Sequence, residues 1–391
     1  MKITDITTHH ADAGWRDYHF VKISTDGNVT GWSEYDEGLG TVGVTTVINR
    51  LAKIAIGDSA TAHERLFAKL KGASRQAFEG VVACGVGAIE NALLDAKAKH
   101  LGVPCYELFG GKLRDTIRVY WSHCATWRIA HPELYPPAIT DLDGVKALGA
   151  EAHERGFSAL KTNIFTYDNG DARSWAPGFG WPFDPSRNVD KRVLGYLRAH
   201  LEALRDGAGP DMDILLDLNF NAATEGYLKI IRSLEDFDLF WVEIDTPNPE
   251  TLAYIRSMSP HPISSCETLT SPAAFVPYFR TQAVDVAIID AVWNGVWQSL
   301  KIAAQAEAHA VNVAPHNYYG HLATLMNAHM SVAIPNLRIM ETDIDRLSWD
   351  DEIFTVAPEI INGELIISDT PGWGTEPDEA GLANHPSSRV R

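Results

Sequence analysis

The chain has 391 residues, 45% of them hydrophobic and 21% charged, which excludes a disordered or fibrous protein and exceeds the usual size of one hydrophobic core. A large domain with a smaller companion is therefore expected. The formal net charge of −18 disfavours nucleic acid and anionic membrane surfaces as partners, and it would oppose an anionic substrate unless a local cation reversed the field.

Cysteine occurs only at Cys84, Cys105, Cys124 and Cys266, with no CxxC pair, so buried free thiols are expected rather than a disulfide framework or a zinc site. No signal-peptide pattern follows Met1, and no run of about 18 apolar residues occurs, which together predict a cytoplasmic protein.

In chain order, Phe20–Thr25, the turn Asp26-Gly27-Asn28 and Val29–Glu34 read as a β-hairpin. From Thr45 to Leu101 the periodicity is helical, ending in an amphipathic helix over Gly85–Lys99 that Leu101-Gly102-Val103-Pro104 stops,. Residues 1–115 thus read as an α+β cap. After Gly110-Gly111-Lys112-Leu113 the grammar changes to short apolar runs alternating with helices: Ile117–Ser122, Ala159–Asn163, Ile214–Asn219, Phe240–Ile244, Ile263–Glu267, Val286–Asp290, Val311–His316 and Leu337–Glu341. Eight such repeats over 116–345 match a (β/α)8 barrel, with a doubly wound open sheet as the weaker alternative. Between the second run and its helix lies a polar and aromatic insertion, Thr166–Arg187, too long for an ordinary connection and readable as a lid or an oligomer contact. Residues 346–391 carry a hairpin pattern over Ile360–Ile367, then a Gly- and Pro-rich segment, expected to pack back on the cap.

Asp217, Glu243 and Glu267 close runs three, four and five, 26 and 24 residues apart. Taken singly, each carboxylate reads as readily as a helix cap. Three in register at the end of a barrel, where catalytic groups sit, would repel one another without a cation, and oxygen ligands select a hard ion such as Mg²⁺. Asp290 and His316 end neighbouring runs, so the carboxylate can fix the tautomer of the imidazole and leave its other nitrogen as a base. Lys161, ending run two, suits an anionic substrate oxygen. Glu341, ending run eight, would donate to a developing oxyanion if its pKa were raised.

The order Lys-x-Asn, Asp-x-Asn, Glu, Glu, Asp, His, Glu on successive runs resembles the mandelate racemase branch of the enolase superfamily, as do Gly87-Ala88-Ile89-Glu90-Asn91-Ala92-Leu93-Leu94-Asp95-Ala96-Lys97 and Leu108-Phe109-Gly110-Gly111. The likeness spans nearly the whole chain. It implies a modified (β/α)7β or (β/α)8 barrel under a cap that the C-terminal tail completes. It also implies Mg²⁺ on Asp217, Glu243 and Glu267, an enediolate intermediate, α-proton abstraction by His316 with Asp290, and substrate carboxylate contacts from Lys161 and Glu341. Assembly as a homo-oligomer, from dimer to octamer, follows by analogy.

Two departures shape the expected reaction. Where racemases of this branch carry a second lysine, Asn163 stands, so a two-base racemisation is not expected; galactonate dehydratase-like members share Lys-x-Asn. Those dehydratases place a histidine where this chain has Asn219, so the leaving-group proton must come from elsewhere, from His316 or from Tyr167 in the insertion. Glu243 is followed by Ile244-Asp245 in place of the usual proline. The substrate contacts are expected from Asn163, Asn219 and Tyr167, and from Trp15 and Arg16 in a cap loop closing over the mouth with Tyr35–Gly40, while Trp293, Trp297, Tyr318 and Tyr319 supply stacking or core. The expected activity is dehydration of a small-molecule acid sugar to a 2-keto-3-deoxy acid. The alternatives are a lactone cycloisomerase or epimerase using the same base, and a non-catalytic acid-sugar-binding barrel.

Overall fold

The computed structural model describes residues 1–38, 41–168 and 170–389. It opens on an antiparallel sheet of β1 (Ile3–Ala13), β2 (Arg16–Thr25) and β3 (Thr30–Tyr35), in which β2 and β3 form the predicted hairpin. Helices α1 (Val44–Ala55), α2 (His63–Gly72) and α3 (Gly80–Leu101) follow. The sequence suggested an amphipathic α3, yet every residue from Cys84 to Ala96 is buried. The reason is contact on two sides. A Cβ on Gly31 of β3 would lie 2.1 Å from the Ala92 carbonyl oxygen, and a Cβ on Gly87 would lie 2.8 Å from the Gly295 backbone nitrogen. The polar residues of α3 are paired accordingly: Asp95 accepts the backbone N–H groups of Trp32 and Trp373, and Asn91 bridges the Ala291 carbonyl and the Val296 N–H.

The second layer is a ring of parallel strands. β4 (Thr116–Trp121) and β5 (Ala159–Thr162) come first. The insertion then supplies a separate hairpin, β6 (Phe165–Asp168) and β7 (Asp171–Ser174), before β8 (Asp213–Asp217), β9 (Leu239–Glu243), β10 (Ile263–Ser265), β11 (Val286–Ile289), β12 (Asn312–Pro315) and β13 (Met340–Thr342). Neighbours pair in parallel from β4 through β12. β13 pairs β4, and a parallel bridge between Val313 and Leu337 joins β12 to the approach of β13. The sheet therefore closes on itself, and the open-sheet alternative does not hold. Side-chain caps start several of the surrounding helices: Asp141, Asp190 and Asn248 accept the N–H groups of Gly144, Val193 and Thr251,.

The tail packs back on the cap as expected, except for its hairpin. β14 (Glu359–Ile361) and β15 (Glu364–Ile366) form the predicted hairpin, but β15 pairs antiparallel with Thr116–Arg118 of β4. β13 reaches only Val119–Trp121 of that strand, so its lower edge would otherwise leave backbone groups unpaired. The segments on either side of this hairpin meet the cap: Tyr18 donates to Asp350 and Trp349 to the Asp12 carbonyl before it, and after it Trp373 donates to the Trp32 carbonyl and Asp12 to that of His385.

Candidate active site

The barrel interior holds a small apolar cluster of Tyr120, Ala159, Leu215, Trp241, Val286, Ile288, Ala314 and Ile339. Side chains alternate along a strand, so the residue two positions further on faces the same axis, one layer nearer the C-terminal mouth. Two positions past Tyr120, Ala159, Leu215, Trp241, Ile288, Ala314 and Ile339 stand Ser122, Lys161, Asp217, Glu243, Asp290, His316 and Glu341. Each of them is buried. The strand period thus converts seven separate strand ends into one polar layer above an apolar floor.

His316 Nδ1 donates to Asp290 Oδ2 at 2.6 Å. The same oxygen accepts from the Tyr319 hydroxyl at 2.5 Å, and Asp290 Oδ1 accepts the Trp293 N–H at 2.7 Å. His316 Nε2 stands 3.4 Å from Glu267 Oε1 and 4.0 Å from Glu341 Oε2. Burial disfavours the imidazolium, but Glu267, Asp290 and Glu341 outweigh it and push the group up to about 10,. Lys161 Nζ lies 2.9 Å from Glu341 Oε1, 3.3 Å from Glu243 Oε2 and 3.7 Å from Asp217 Oδ2, and these anions hold it well above the ordinary lysine range against its burial.

Glu341 departs from the sequence reading. Burial would raise its carboxyl, but Lys161, His316 and His123 hold it below the usual carboxylate range. It is an ionised acceptor, receiving Ser122 O–H at 2.5 Å and the Asn317 N–H at 2.8 Å, not a neutral donor.

Among the described residues, no three imidazole, thiolate or carboxylate side chains close into a finished ion cage; the Lys161 ammonium lies among Asp217, Glu243 and Glu341. The donor chemistry of the expected ligands nevertheless fits a hard divalent ion. Glu243 Oε1 is buried without a hydrogen-bond partner. Burial first, and then repulsion from Asp217, Glu267 and Glu341, drives the Glu243 carboxyl well up in spite of Lys161, and Glu267 is raised by burial and by Asp217. One ammonium does not neutralise such a set.

Asp245, which the sequence marked only as a replacement for proline, joins this set. It is buried and its Oδ1 lacks a partner, and burial, then repulsion from Glu267 and Asp217, drives its carboxyl well up against the pull of His316 and Lys161. Two positions past Glu243, it obeys the same alternation that singled out the other strand ends. His123, the residue just past the first run, was also passed over.

The remaining candidates divide. Asn219, on a left-handed backbone (φ 45°), brackets Asp217 with its N–H at 2.8 Å and its amide at 3.0 Å. Asn163 accepts from Thr126 at 2.9 Å and donates to the Asp217 carbonyl. Both amides therefore position Asp217. Trp15 packs on Trp127, with ring centroids 4.5 Å apart. Arg16 lies over Tyr318, 4.6 Å from its ring centroid, and donates to the Tyr318 carbonyl, so it joins the cap to the wall of the mouth. Tyr167 is not brought to the carboxylates: its hydroxyl meets His200 Nδ1 at 2.6 Å, and His200 Nε2 meets Thr162. Thr162 alternates with Lys161 and faces outward, so Tyr167 sits behind the strand. Trp297 donates to Glu64 of α2 and belongs to the joint with the cap. Leu39 and Gly40 of the expected closing loop lie outside the described residues.

Comparison with known proteins identifies the family of both domains. Residues 4–110 match the mandelate racemase / muconate lactonizing enzyme N-terminal domain, and residues 145–381 match the enolase C-terminal domain-like family. D-xylonate dehydratase of Haloferax volcanii is 26% identical over 98% of this chain and 89% of its own. D-gluconate dehydratase of Thermoproteus tenax is 27% identical over 96% of this chain and 71% of its own. A Burkholderia xenovorans crystal structure, named as a candidate L-alanine-DL-glutamate epimerase and bound to magnesium and fumarate, is 64% identical with a TM-score of 0.97, over 98% of this chain and 96% of that one.

Proposed function

The chain belongs to the mandelate racemase and muconate lactonizing enzyme family of the enolase superfamily, and from that premise we propose that it dehydrates a sugar acid to a 2-keto-3-deoxy acid. The observation that carries this reading is the Asp290–His316 pair at 2.6 Å, with Nε2 turned to the carboxylate layer. Asp290 keeps the hydrogen on Nδ1, and a divalent ion on Glu267 would neutralise the anion that contributes most to holding a proton on His316, so Nε2 would then be the atom that takes the α-proton,. Asp217, Glu243 and Glu267 would hold Mg²⁺, as a hard ion suits their oxygens. Bound there, the ion supplies the positive charge that draws in the substrate carboxylate and favours the enediolate.

Lys161, kept protonated by its anionic neighbours, orients the substrate carboxylate. Its buried position beside Glu341 prevents solvent from competing for that contact. The amide layer of Asn163 and Asn219 fixes Asp217 and with it the orientation of the mouth. Magnesium and fumarate bound by the 64% identical relative support a divalent ion and an acid ligand, and the dehydratase relatives support the sugar-acid class.

The epimerase named for that same relative would need a base on each face of the α-carbon. Here Asn163, whose amide is hydrogen-bonded at both ends, occupies the second-base position, and Lys161 is an ammonium; dehydration is therefore preferred. The test is a panel of aldonates and aldarates with Mg²⁺, read by keto-acid formation and by α-proton exchange into D₂O. The expected outcome is turnover of at least one acid, with His316→Asn and Glu267→Gln each abolishing both signals. Exchange that survives in His316→Asn would remove the proposed base.

A further inference from the structure

We propose that His123 is the general acid that protonates the departing hydroxide, a role that rests on the dehydratase reading above. The other candidates for that proton are poorly placed. Tyr167 is turned to His200 behind the barrel, Asn219 is bound to Asp217, and returning the proton from His316 would make one imidazole serve as both base and acid in the same pass.

His123 follows β4 on a left-handed backbone (φ 53°), a conformation uncommon outside glycine and worth its strain where a side chain must be aimed. Its Nδ1 meets Ser122 Oγ at 3.0 Å, and that hydroxyl donates to Glu341 Oε1 at 2.5 Å. With the serine hydrogen committed to Glu341, Nδ1 is the donor to the serine oxygen, which leaves Nε2 as the nitrogen that exchanges a proton with a ligand. Nε2 has no hydrogen-bond partner among the described residues. The side chain keeps 17% exposure, against 6% for His316.

The ring is held in place by stacking on Trp127, with centroids 4.6 Å apart, and Asp343 Oδ2 lies 3.6 Å from Nδ1. Tyr318 packs against both imidazoles, its ring centroid 6.1 Å from that of His123 and 5.2 Å from that of His316, and Glu341 binds Ser122, the hydrogen-bond partner of His123, through one oxygen while the other stands 4.0 Å from His316 Nε2. The two rings therefore flank the same mouth from different strands.

The step balances. His316 Nε2 takes the α-proton, the freed electron pair forms the C2=C3 bond, and the C3–O bond breaks. The departing oxygen takes the proton of His123 Nε2 and leaves as water. The enol then becomes the ketone by exchanging protons with solvent, and solvent restores both imidazoles.

The experiment is His123→Asn in the full chain with Mg²⁺. It is assayed on whichever acid of an aldonate and aldarate panel the wild type dehydrates, and on the 3-deoxy-3-fluoro counterpart of that acid. Fluoride leaves without a proton donor. The expected result is loss of water elimination by ~100-fold or more, with fluoride release and α-proton exchange into D₂O kept within about three-fold. Unchanged water elimination, or equal loss of all three signals, would overturn the role of His123 alone. A wild type that shows neither exchange nor elimination with any acid of the panel would overturn the dehydratase reading itself.

Discussion

At the scale of single residues, the tightest arrangement is the sharing of Asp290 Oδ2 by His316 and Tyr319. A carboxylate fixed by a phenol, an imidazole and the Trp293 N–H has one orientation, and the imidazole inherits it. Tyr319→Phe removes one of the three without creating a large void. We expect α-proton exchange to slow about ten-fold with KM within two-fold, and thermal stability to fall by about 1–2 kcal/mol; a larger rise in KM than fall in kcat would assign the hydroxyl to substrate contact instead. Which residues were legible follows from the alternation of strands. Asp217 and Glu243 end β8 and β9, where an apolar run stopping at an acid is visible in sequence alone. Asp245 obeys the same period but sits past the last apolar residue, where a sequence gives no sign that the backbone keeps its direction, and His123 falls outside the period altogether, next to the inward Ser122 on a left-handed backbone (φ 53°).

At the scale of elements, α3 shows how a pattern misleads when a helix is covered on both sides. The glycines where it meets its neighbours, Gly31 of β3 and its own Gly87, record the contacts that its hydropathy does not. Gly31→Ala would drive a methyl group into the Ala92 carbonyl at 2.1 Å, a backbone atom that cannot swing aside. We expect a loss of ~2–4 kcal/mol, seen as a fall of several degrees in Tm by scanning calorimetry. Gly195→Ala is the control: nothing lies within 4 Å of the added carbon, inside the helix Lys191–Ala208, so Tm should hold or rise slightly. The tail makes the same point. The hairpin β14–β15 was visible in Ile360–Ile367, but its partner, the lower edge of β4, became available only because β13 enters the ring late.

At the scale of the whole molecule, the joint between cap and barrel is polar and buried, and Glu90 lies within it. Its Oε1 accepts from Gln298 at 2.8 Å, and its Oε2 is buried without a partner. Burial is the main cause that lifts its carboxyl from the ordinary 4.5 to about 8. The folded state therefore favours the protonated acid more than the unfolded chain does. The stability this provides is complete below pH about 4.5 and is lost as the pH rises towards about 8. Glu90→Gln should consequently exceed wild type in Tm at pH 8, with the gap closing near pH 4.5; an equal gap at both pH values would exclude titration of Glu90 as its source. Sequence by itself determined the number of barrel strands, the two-layer plan and the acidic, basic and imidazole strand ends, because local period and strand-end chemistry are properties of neighbouring residues. Only the tertiary structure decided that Glu341 is an ionised acceptor, that Tyr167 faces away, and that Asp245 and His123 face in. Those outcomes depend on which charges and surfaces meet across the ring, and residues that meet there lie up to more than two hundred positions apart in the chain.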